Sequence, residues 1–575
     1  MKTSYIYNKV KTIKGVMLLS LGSFMLSGCG DFLDILPMDQ VVLENYWKEK
    51  KDVTSAMNSC YEALADQDVV TRMGVWGELR SENILAGSNS GVDLNELLKE
   101  NLLPVNSMCN WAGFYNVINR CNVVINYAPE VEVADANYTR AELNATIAEA
   151  TTLRALAYFY LIRTFRDVPY TTQPSIDDNQ NYVLPATPFE DVLDSLINDL
   201  ERVKNLALTR YSQEKVSNNQ VIVPNDNNSR ITRCAVYALL ADLYLWKGDW
   251  DRVIENCDYV INYKKALYDE LVQTDQLNSI GLYSIKDYKV PMILESKPGA
   301  AKEVGVAYTN IFGRKNSFES LFEIYYNGAS RQENNWVANY YGSSSNALGR
   351  LRASDFLGDG FDTDKNQVFL SQRDCRYYES LQARDNTYVI TKYVWENTDF
   401  SLQTPSNVSM AKCNRRSNKS ANWIIYRLSD VLLMKAEALI QRGEADYEEA
   451  YQLINTVFKR ANAIAPDGSG TSLTFEDYSG SKTQMEDLLL EERHREFLFE
   501  GKRWYDLVRA SRRDGDTKRL SSCVIRKFTQ DTNLIKIKLA DPNYVYFPYL
   551  KSELKANPLL KQNPAFNKRE DSELK

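Results

Sequence analysis

One histidine, His494, stands among the 575 residues of this chain. That count removes most routes to catalysis, because acid–base relays, imidazole-activated nucleophiles and the commoner transition-metal sites draw on histidine. His494 lines up with Leu490, Phe497, Leu498 and Gly501 on one face of a helical stretch, the placement of a packed structural residue. Around it Glu491, Glu492, Arg493, Arg495, Glu496 and Glu500 include pairs three and four apart, such as Glu491 with Arg495, which predicts a stabilising charge network on a helix surface, with partial burial as the alternative. The cysteines form no C-x-x-C pair, so zinc-ribbon and thiol-redox chemistry are not indicated. Apart from Cys29 they fall at 60, 109, 121, 234, 257, 375, 413 and 523 and read mostly as buried free thiols, with Cys234 and Cys257 placed to face each other across a helical hairpin, where one disulfide is the alternative. A glycosidase needs two carboxylates about 5–5.5 or 6.5–9.5 Å apart. Asp and Glu total 76, but no local motif singles out such a pair. No catalytic residue, metal ligand or cofactor is expected.

Binding chemistry is better represented. Residues 331–342 read Arg-Gln-Glu-Asn-Asn-Trp-Val-Ala-Asn-Tyr-Tyr-Gly. A sugar ring offers a flat face of C–H groups and a rim of hydroxyls, so its recognition wants an aromatic plane beside amides and a charged donor. Trp336, Tyr340 and Tyr341 supply the plane; Asn334, Asn335, Asn339 and Arg331 supply the rim contacts. Polar neighbours around a lone tryptophan, where helix signals are weak, predict an exposed ring; the competing arrangement is a packed loop anchor. Phe322, Ile324 and Tyr326 alternate with Glu323 and Tyr325 as in a strand, so one of the two tyrosines faces the core.

Cys29 carries a different chemistry. Lys2, Lys9, Lys11 and Lys14 precede the apolar stretch Val16 to Leu26, which is too short for the roughly 20 residues of a membrane-spanning helix. With Leu26-Ser27-Gly28 ahead of the cysteine, residues 1–28 read as a signal peptide ending in a bacterial lipobox. Acylated Cys29 then becomes the mature amino terminus and anchors a soluble body to a bilayer. Cleavage leaves 547 residues and takes four lysines but no acid from a net charge of −8, leaving −12. Nucleic acid is therefore an unexpected partner, since phosphate binding needs clustered Lys and Arg. Tyrosine is abundant, 36 against 20 Phe and 9 Trp, which suits stacking surfaces and helical-repeat interiors alike.

The elements that must position these groups are mainly helical. Ile231 to Trp246 is apolar nearly all round, Gly248-Asp249 breaks it, and Trp250 to Asn262 resumes with a stripe of Val253, Ile254, Cys257, Val260 and Ile261. The same design recurs at Arg427 to Arg442, Gly443, and Tyr447 to Ala461. Ala241 and Ala436 each stand seven residues before the turn glycine, which predicts tetratricopeptide-like hairpins. Further helices are expected over 144–165, 189–205 and, as a pair, 483–511. Residues 206–230 and 263–422 do not read as helix, and the longer stretch reads as the loop-rich, partly β, ligand-contacting part.

Several of these stretches taken together are distinctive. They are Cys29-Gly30-Asp31-Phe32-Leu33-Asp34 with Pro37; Glu78-Leu79-Arg80-Ser81-Glu82-Asn83; and Trp111, Tyr115, Ile118, Asn119, Arg120 and Asn122. To them are added residues 148–172, 426–439 and 492–509, then Tyr546-Phe547-Pro548 and Gln562-Asn563-Pro564. In number and order they resemble the SusD/RagB family of outer-membrane nutrient-binding lipoproteins. The resemblance implies a mainly α fold with four tetratricopeptide-like helix pairs, divided into an N-terminal region (29–230) and a C-terminal region (231–575). It also implies a lid on a SusC-type TonB-dependent transporter at the outer membrane. Relatives use the neighbourhood of Trp76 and Arg80, beside the Gly87–Gly91 tip, for ligand contact; here no aromatic residue lies between Trp76 and Trp111, a departure from an aromatic arc.

The function expected is binding of oligo- or polysaccharide without turnover and its delivery to the transporter. A peptide cargo on the same scaffold, or a protein–protein adaptor that binds no small ligand, are the alternatives.

Overall fold

A computed structural model describes residues 46–567 except 88, 177–181, 275–276, 296–302, 330–331, 344–347, 359–367, 371–373, 405–406, 411–412 and 463–471. The expected signal peptide (residues 1–28), Cys29 and Arg331 lie outside the described residues.

The longer helices among the described residues are α1 (Lys50–Leu64), α2 (Gln67–Glu78), α3 (Ala112–Ala134), α4 (Arg140–Phe165), α5 (Phe189–Val203), α6 (Arg233–Lys247), α7 (Trp250–Thr274), α8 (Leu428–Arg442), α9 (Tyr447–Ala461), α10 (Lys482–Glu496) and α11 (Arg503–Asp514). Local sequence accounts for their ends. Thr139 and Glu142 form a reciprocal capping box that starts α4. Asp66 caps α2 by accepting from the Asp68 amide at 2.8 Å, and Gly248 ends α6 at φ +80° in the left-handed region. The expected hairpins form: α4 packs on α5, α6 on α7 and α8 on α9, while α10 lies against α8 and α9. The apolar surround expected for α6 is met, with every residue from Cys234 to Trp246 buried.

Helix α7 runs to Thr274, twelve residues past the expected end. Beyond that end Lys264 is buried, its ammonium donating to the Phe318 carbonyl at 2.6 Å and that of Ser320 at 3.2 Å. Leu267 and Leu271 then continue the inward stripe.

Between α7 and α8 the chain forms small sheets. Strands Ile84–Ala86, Leu351–Ala353, Thr387–Ile390 and Leu381–Arg384 pair in that order, and 280–285 pairs with 288–293. The pair that matters for the site is β1 (Ser320–Ile324) with β2 (Trp423–Arg427), antiparallel, with Trp423 opposite Ile324 and Ile424 opposite Glu323. Both strands are buried along their whole length.

The two ends of the chain are interlocked. Gly77 of α2 faces the Gly501 carbonyl so closely that a Cβ would overlap it. Arg80, fully buried, donates to the carbonyls of Tyr544 and Val545 at 2.9 and 2.8 Å and to Glu100 at 2.7 Å. The Phe547 amide donates to the Thr164 carbonyl at 2.8 Å.

The charge network around α10 lies almost wholly in the interior, which corrects its expected placement on a helix surface and goes further than partial burial. Glu492, Glu496 and Glu500 are at most 2 % exposed. Glu496 receives Arg427 at 2.5 Å, Arg376 at 3.1 Å and also Arg460; Glu500 receives Arg427 at 2.8 Å and Lys392 at 2.7 Å. The cations come from β2, α9 and residues 376 and 392, none of them on α10, so spacing along one helix gave no sign of it. Only Glu491 of the expected surface pairs stays half exposed, 3.9 Å from Arg495.

His494 is buried, as expected of a packed residue. Its Nε2 lies 2.6 Å from the Asn83 Oδ1. Because the Asn83 amide nitrogen donates to Glu78, that oxygen is an acceptor and Nε2 carries the proton. Burial first, and then Arg503, hold the imidazole neutral by lowering its pKa well below the ordinary value.

Acid titration should expose the buried ion pairs. Burial pushes the Glu82 and Glu500 carboxyls up, but Arg503 at the first, and Arg427 and Lys392 at the second, outweigh it and hold both at about 2. A depressed carboxylate pKa contributes stability that is present above the unfolded value and is lost as pH falls through the folded one. Thermal melts should therefore show stability dropping between pH 4.5 and 2, by about 3 kcal/mol per group. Glu78 and Glu295, raised by burial to about 7, act in a separate window: they favour the fold at low pH and lose that effect between pH 4.5 and 7. A melting temperature that stays flat below pH 4.5 would contradict the buried pairs.

Candidate ligand-binding cleft

The alternation seen in residues 322–326 outlasts β1 and divides its two tyrosines. Tyr326 turns inward, 2 % exposed, its hydroxyl donating to the Ala65 carbonyl at 2.8 Å and its amide to Asn422 at 3.0 Å. Tyr325 stays half buried and faces a cleft of about 1080 Å³. Lys315 steadies that tyrosine from behind, its ammonium 5.2 Å from the ring centroid and donating to the Tyr326 carbonyl at 2.9 Å.

Helix α1 and the turn after it form the opposite wall with Asn58, Ser59, Tyr61, Glu62, Asp66 and Gln67. Asp226, Ser229 and Arg230 contribute from the segment before α6, and Asn327, Gln332, Glu333 and Asn335 from the chain beyond β1. Several of these groups are held in place. The Tyr61 hydroxyl donates to Glu149 at 2.7 Å and accepts from the Ile231 amide at 2.9 Å. Arg230 grips Glu149 with two nitrogens, at 2.7 and 3.2 Å, and lies 4.3 Å from the Tyr211 ring centroid. Burial raises the Glu149 carboxyl despite Arg230. Lys419 links Glu333 at 3.0 Å to the Asn335 side-chain oxygen at 2.8 Å. The wall thus offers tyrosine planes beside amides, hydroxyls and carboxylates, several of them fixed in direction. Among the described residues no cluster of His, Cys, Asp and Glu fits a metal ion.

Of the described residues expected to bind ligand, one lines this cleft: Asn335. Trp336, expected to present an exposed ring, is 1 % exposed and is the packed anchor instead. Its indole sits 4.6 Å from Tyr340, 5.2 Å from Tyr341 and 6.3 Å from Trp423 between centroids, and a Cβ at Gly74 of α2 would run into it. Tyr341 is fully buried, donating to the Phe499 carbonyl at 3.0 Å, and Tyr340 is 7 % exposed. Asn334 is spent on the backbone, donating to the Ala421 carbonyl at 2.8 Å and accepting from the Val337 amide at 3.1 Å. Asn339 is half buried away from the cleft, its carbonyl accepting from the Arg350 amide. Trp76 and Arg80 are both fully buried: the Trp76 indole donates to the Met108 carbonyl at 2.8 Å and stacks on Phe114 at 4.9 Å, while Arg80 lies over the Trp504 ring at 4.1 Å. These positions carry scaffold contacts because each ring meets a face that small residues or other rings leave open. The cleft residues on α1 gave no local signal, since Asn58, Tyr61 and Glu62 form the ordinary outer face of a helix whose Met57, Cys60 and Leu64 point inward.

All eight described cysteines are free thiols, and all but Cys413 are buried. Among the described residues no helix is long and apolar enough to cross a membrane.

This architecture recurs in known proteins. A model described as "SusD family" matches residues 314–566, and one described as "Starch-binding associating with outer membrane" matches residues 31–245. SusD-like protein P38 of Formosa agariphila is 24 % identical over 521 residues, which are 87 % of this chain and 91 % of that protein. A crystal structure of a SusD superfamily protein from Bacteroides thetaiotaomicron superposes with a TM-score of 0.63 at 20 % identity, covering 91 % of this chain and 99 % of that one. A laminarin-binding SusD-like protein superposes with a TM-score of 0.59 at 20 % identity, covering 90 % of this chain and all of that one. With two family models matching residues 31–245 and 314–566 in order, and relatives aligned over most of its length, the chain belongs to the SusD/RagB family.

Proposed function

We propose that this protein is a cell-surface lipoprotein that captures oligosaccharide in the cleft between α1 and the chain leaving β1 and passes it to a SusC-type TonB-dependent transporter in the outer membrane. The observation that carries the binding step is the cleft, whose 1080 Å³ stands at the top of the ~300–1,000 Å³ usual for ligand pockets. It pairs the half-buried Tyr325 with positioned amide, hydroxyl and carboxylate groups, as ring stacking with hydroxyl recognition requires. The family's association with the outer membrane, the laminarin-binding relative of the same fold and the lipobox at Cys29 support the setting. Binding proceeds without turnover or cofactor.

Calorimetry of the mature protein with laminarin oligosaccharides and a panel of other glycans tests the reading. Tyr325→Ala should weaken the ligand found by about tenfold, equivalent to ~1.4 kcal/mol, while the melting temperature stays put. A panel with no binder, or an affinity indifferent to Tyr325, would overturn it.

A further inference from the structure

Arg230 is the one cation among the described residues that line the cleft, and its guanidinium is already aimed. Its Nε and Nη2 donate to the Glu149 carboxylate at 3.2 and 2.7 Å, which occupies one edge of the planar fork. Glu149, on α4, is 2 % exposed and is itself fixed by the Tyr61 hydroxyl at 2.7 Å. The Tyr211 ring lies against the guanidinium, 4.3 Å from centroid to carbon. That ring is anchored in turn, the Tyr211 amide donating to Asn227 at 2.7 Å and its hydroxyl to the Ile231 carbonyl at 3.0 Å. With the buried carboxylate on the inner side, the opposite edge of the fork is left toward the cleft: Nη1 has no hydrogen-bond partner among the described residues, and the side chain is 36 % exposed. Parallel N–H groups in a fixed plane match a pair of neighbouring oxygens, whether two hydroxyls of one sugar ring or a carboxylate. Because the fork is held before ligand arrives, little side-chain freedom is lost on binding.

We infer that Arg230 sets the specificity of the cleft: its open edge clamps two adjacent oxygens of one sugar residue, while Glu149, Tyr61 and Tyr211 act through it as positioning residues. This rests on the reading of the cleft as the glycan site.

Calorimetry of the mature protein and of Arg230→Lys tests it, with a laminarin oligosaccharide, its monodeoxy derivatives and its C6-oxidised form as probes. Lysine keeps the charge and loses the fork. In the wild type, removing either of two neighbouring hydroxyls should weaken binding by about tenfold; in Arg230→Lys the parent should bind about tenfold more weakly and the same two deletions should cost under about threefold, since their partner is gone. A tighter oxidised probe, with the gain lost in Arg230→Lys, would identify the oxygen pair as a carboxylate. A second measurement needs no variant: each glycan that binds the wild-type protein should slow modification of Arg230 by phenylglyoxal, read by peptide mass mapping. Equal affinity of Arg230→Lys, one common factor of weakening across all probes, or Arg230 modified equally fast with and without a glycan whose binding Tyr325→Ala removes would overturn the inference and leave the cleft as the glycan site. Absence of any glycan binding would overturn both.

Discussion

Trp336→Ala should cost the protein about 3–5 kcal/mol of stability, the range for deleting a buried large aromatic side chain, and shift the denaturant midpoint with little change in slope. The indole is 1 % exposed and is enclosed by Tyr340, Tyr341, Trp423 and the Gly74 face of α2. Removing it opens a void where the N-terminal helices meet the strand pair, and rigid neighbours on three sides limit how far the site can collapse. Binding at the cleft should survive in the fraction that remains folded, because Tyr325 is held by β1 and Lys315 rather than by the indole. Chemical denaturation with calorimetry on the same sample separates the two effects. Unchanged stability with abolished glycan binding would mean that the ring faces ligand after all.

Arg427→Met should be comparably damaging, about 3–5 kcal/mol, for a different reason. Arg427 is 1 % exposed and donates to Glu500 at 2.8 and 3.0 Å, to Glu496 at 2.5 Å, to the Glu496 carbonyl at 2.9 Å and to Ser429 at 2.9 Å. Methionine fills much of the same space, so packing loss is small. What the change leaves is Glu500 buried with Lys392 as its remaining close cation, and Glu496 with Arg376 and Arg460. Breaking a buried ion network from one side costs far more than the pair contributes when intact, because the orphaned charges stay desolvated. Adding Glu500→Gln to Arg427→Met should recover part of the loss. A double variant no more stable than the single one would show that charge is not the cause.

These two sites also show what could be read from residue order and what could not. The helical hairpins were legible because a 3.6-residue stripe ended by glycine leaves few other solutions, and both α6–α7 and α8–α9 formed where that pattern lay. The division of Tyr325 from Tyr326 was legible for the same kind of reason, a two-residue period beside a buried strand. Whether Trp336 is an exposed ring or a packed anchor stays open in the sequence because its polar neighbours make backbone contacts: Asn334 folds back on Ala421 and Val337, and a polar side chain spent on the backbone looks identical in sequence to one facing water. The cleft escaped because its walls come from α1, residues 226–230 and residues 325–335, brought together by tertiary packing that no local pattern encodes. The buried charges around Glu496 escaped likewise, their cations arriving from positions 376, 427 and 460.

The hold that residues 544–547 exert on the first third of the molecule has a bearing on how the protein is made. Until Tyr544 and Val545 emerge from the ribosome, the Arg80 guanidinium lacks two of its carbonyl acceptors, and the Thr164 carbonyl lacks the Phe547 amide. The early helices therefore cannot settle into their final state while synthesis is under way, and contacts this distant in sequence close slowly.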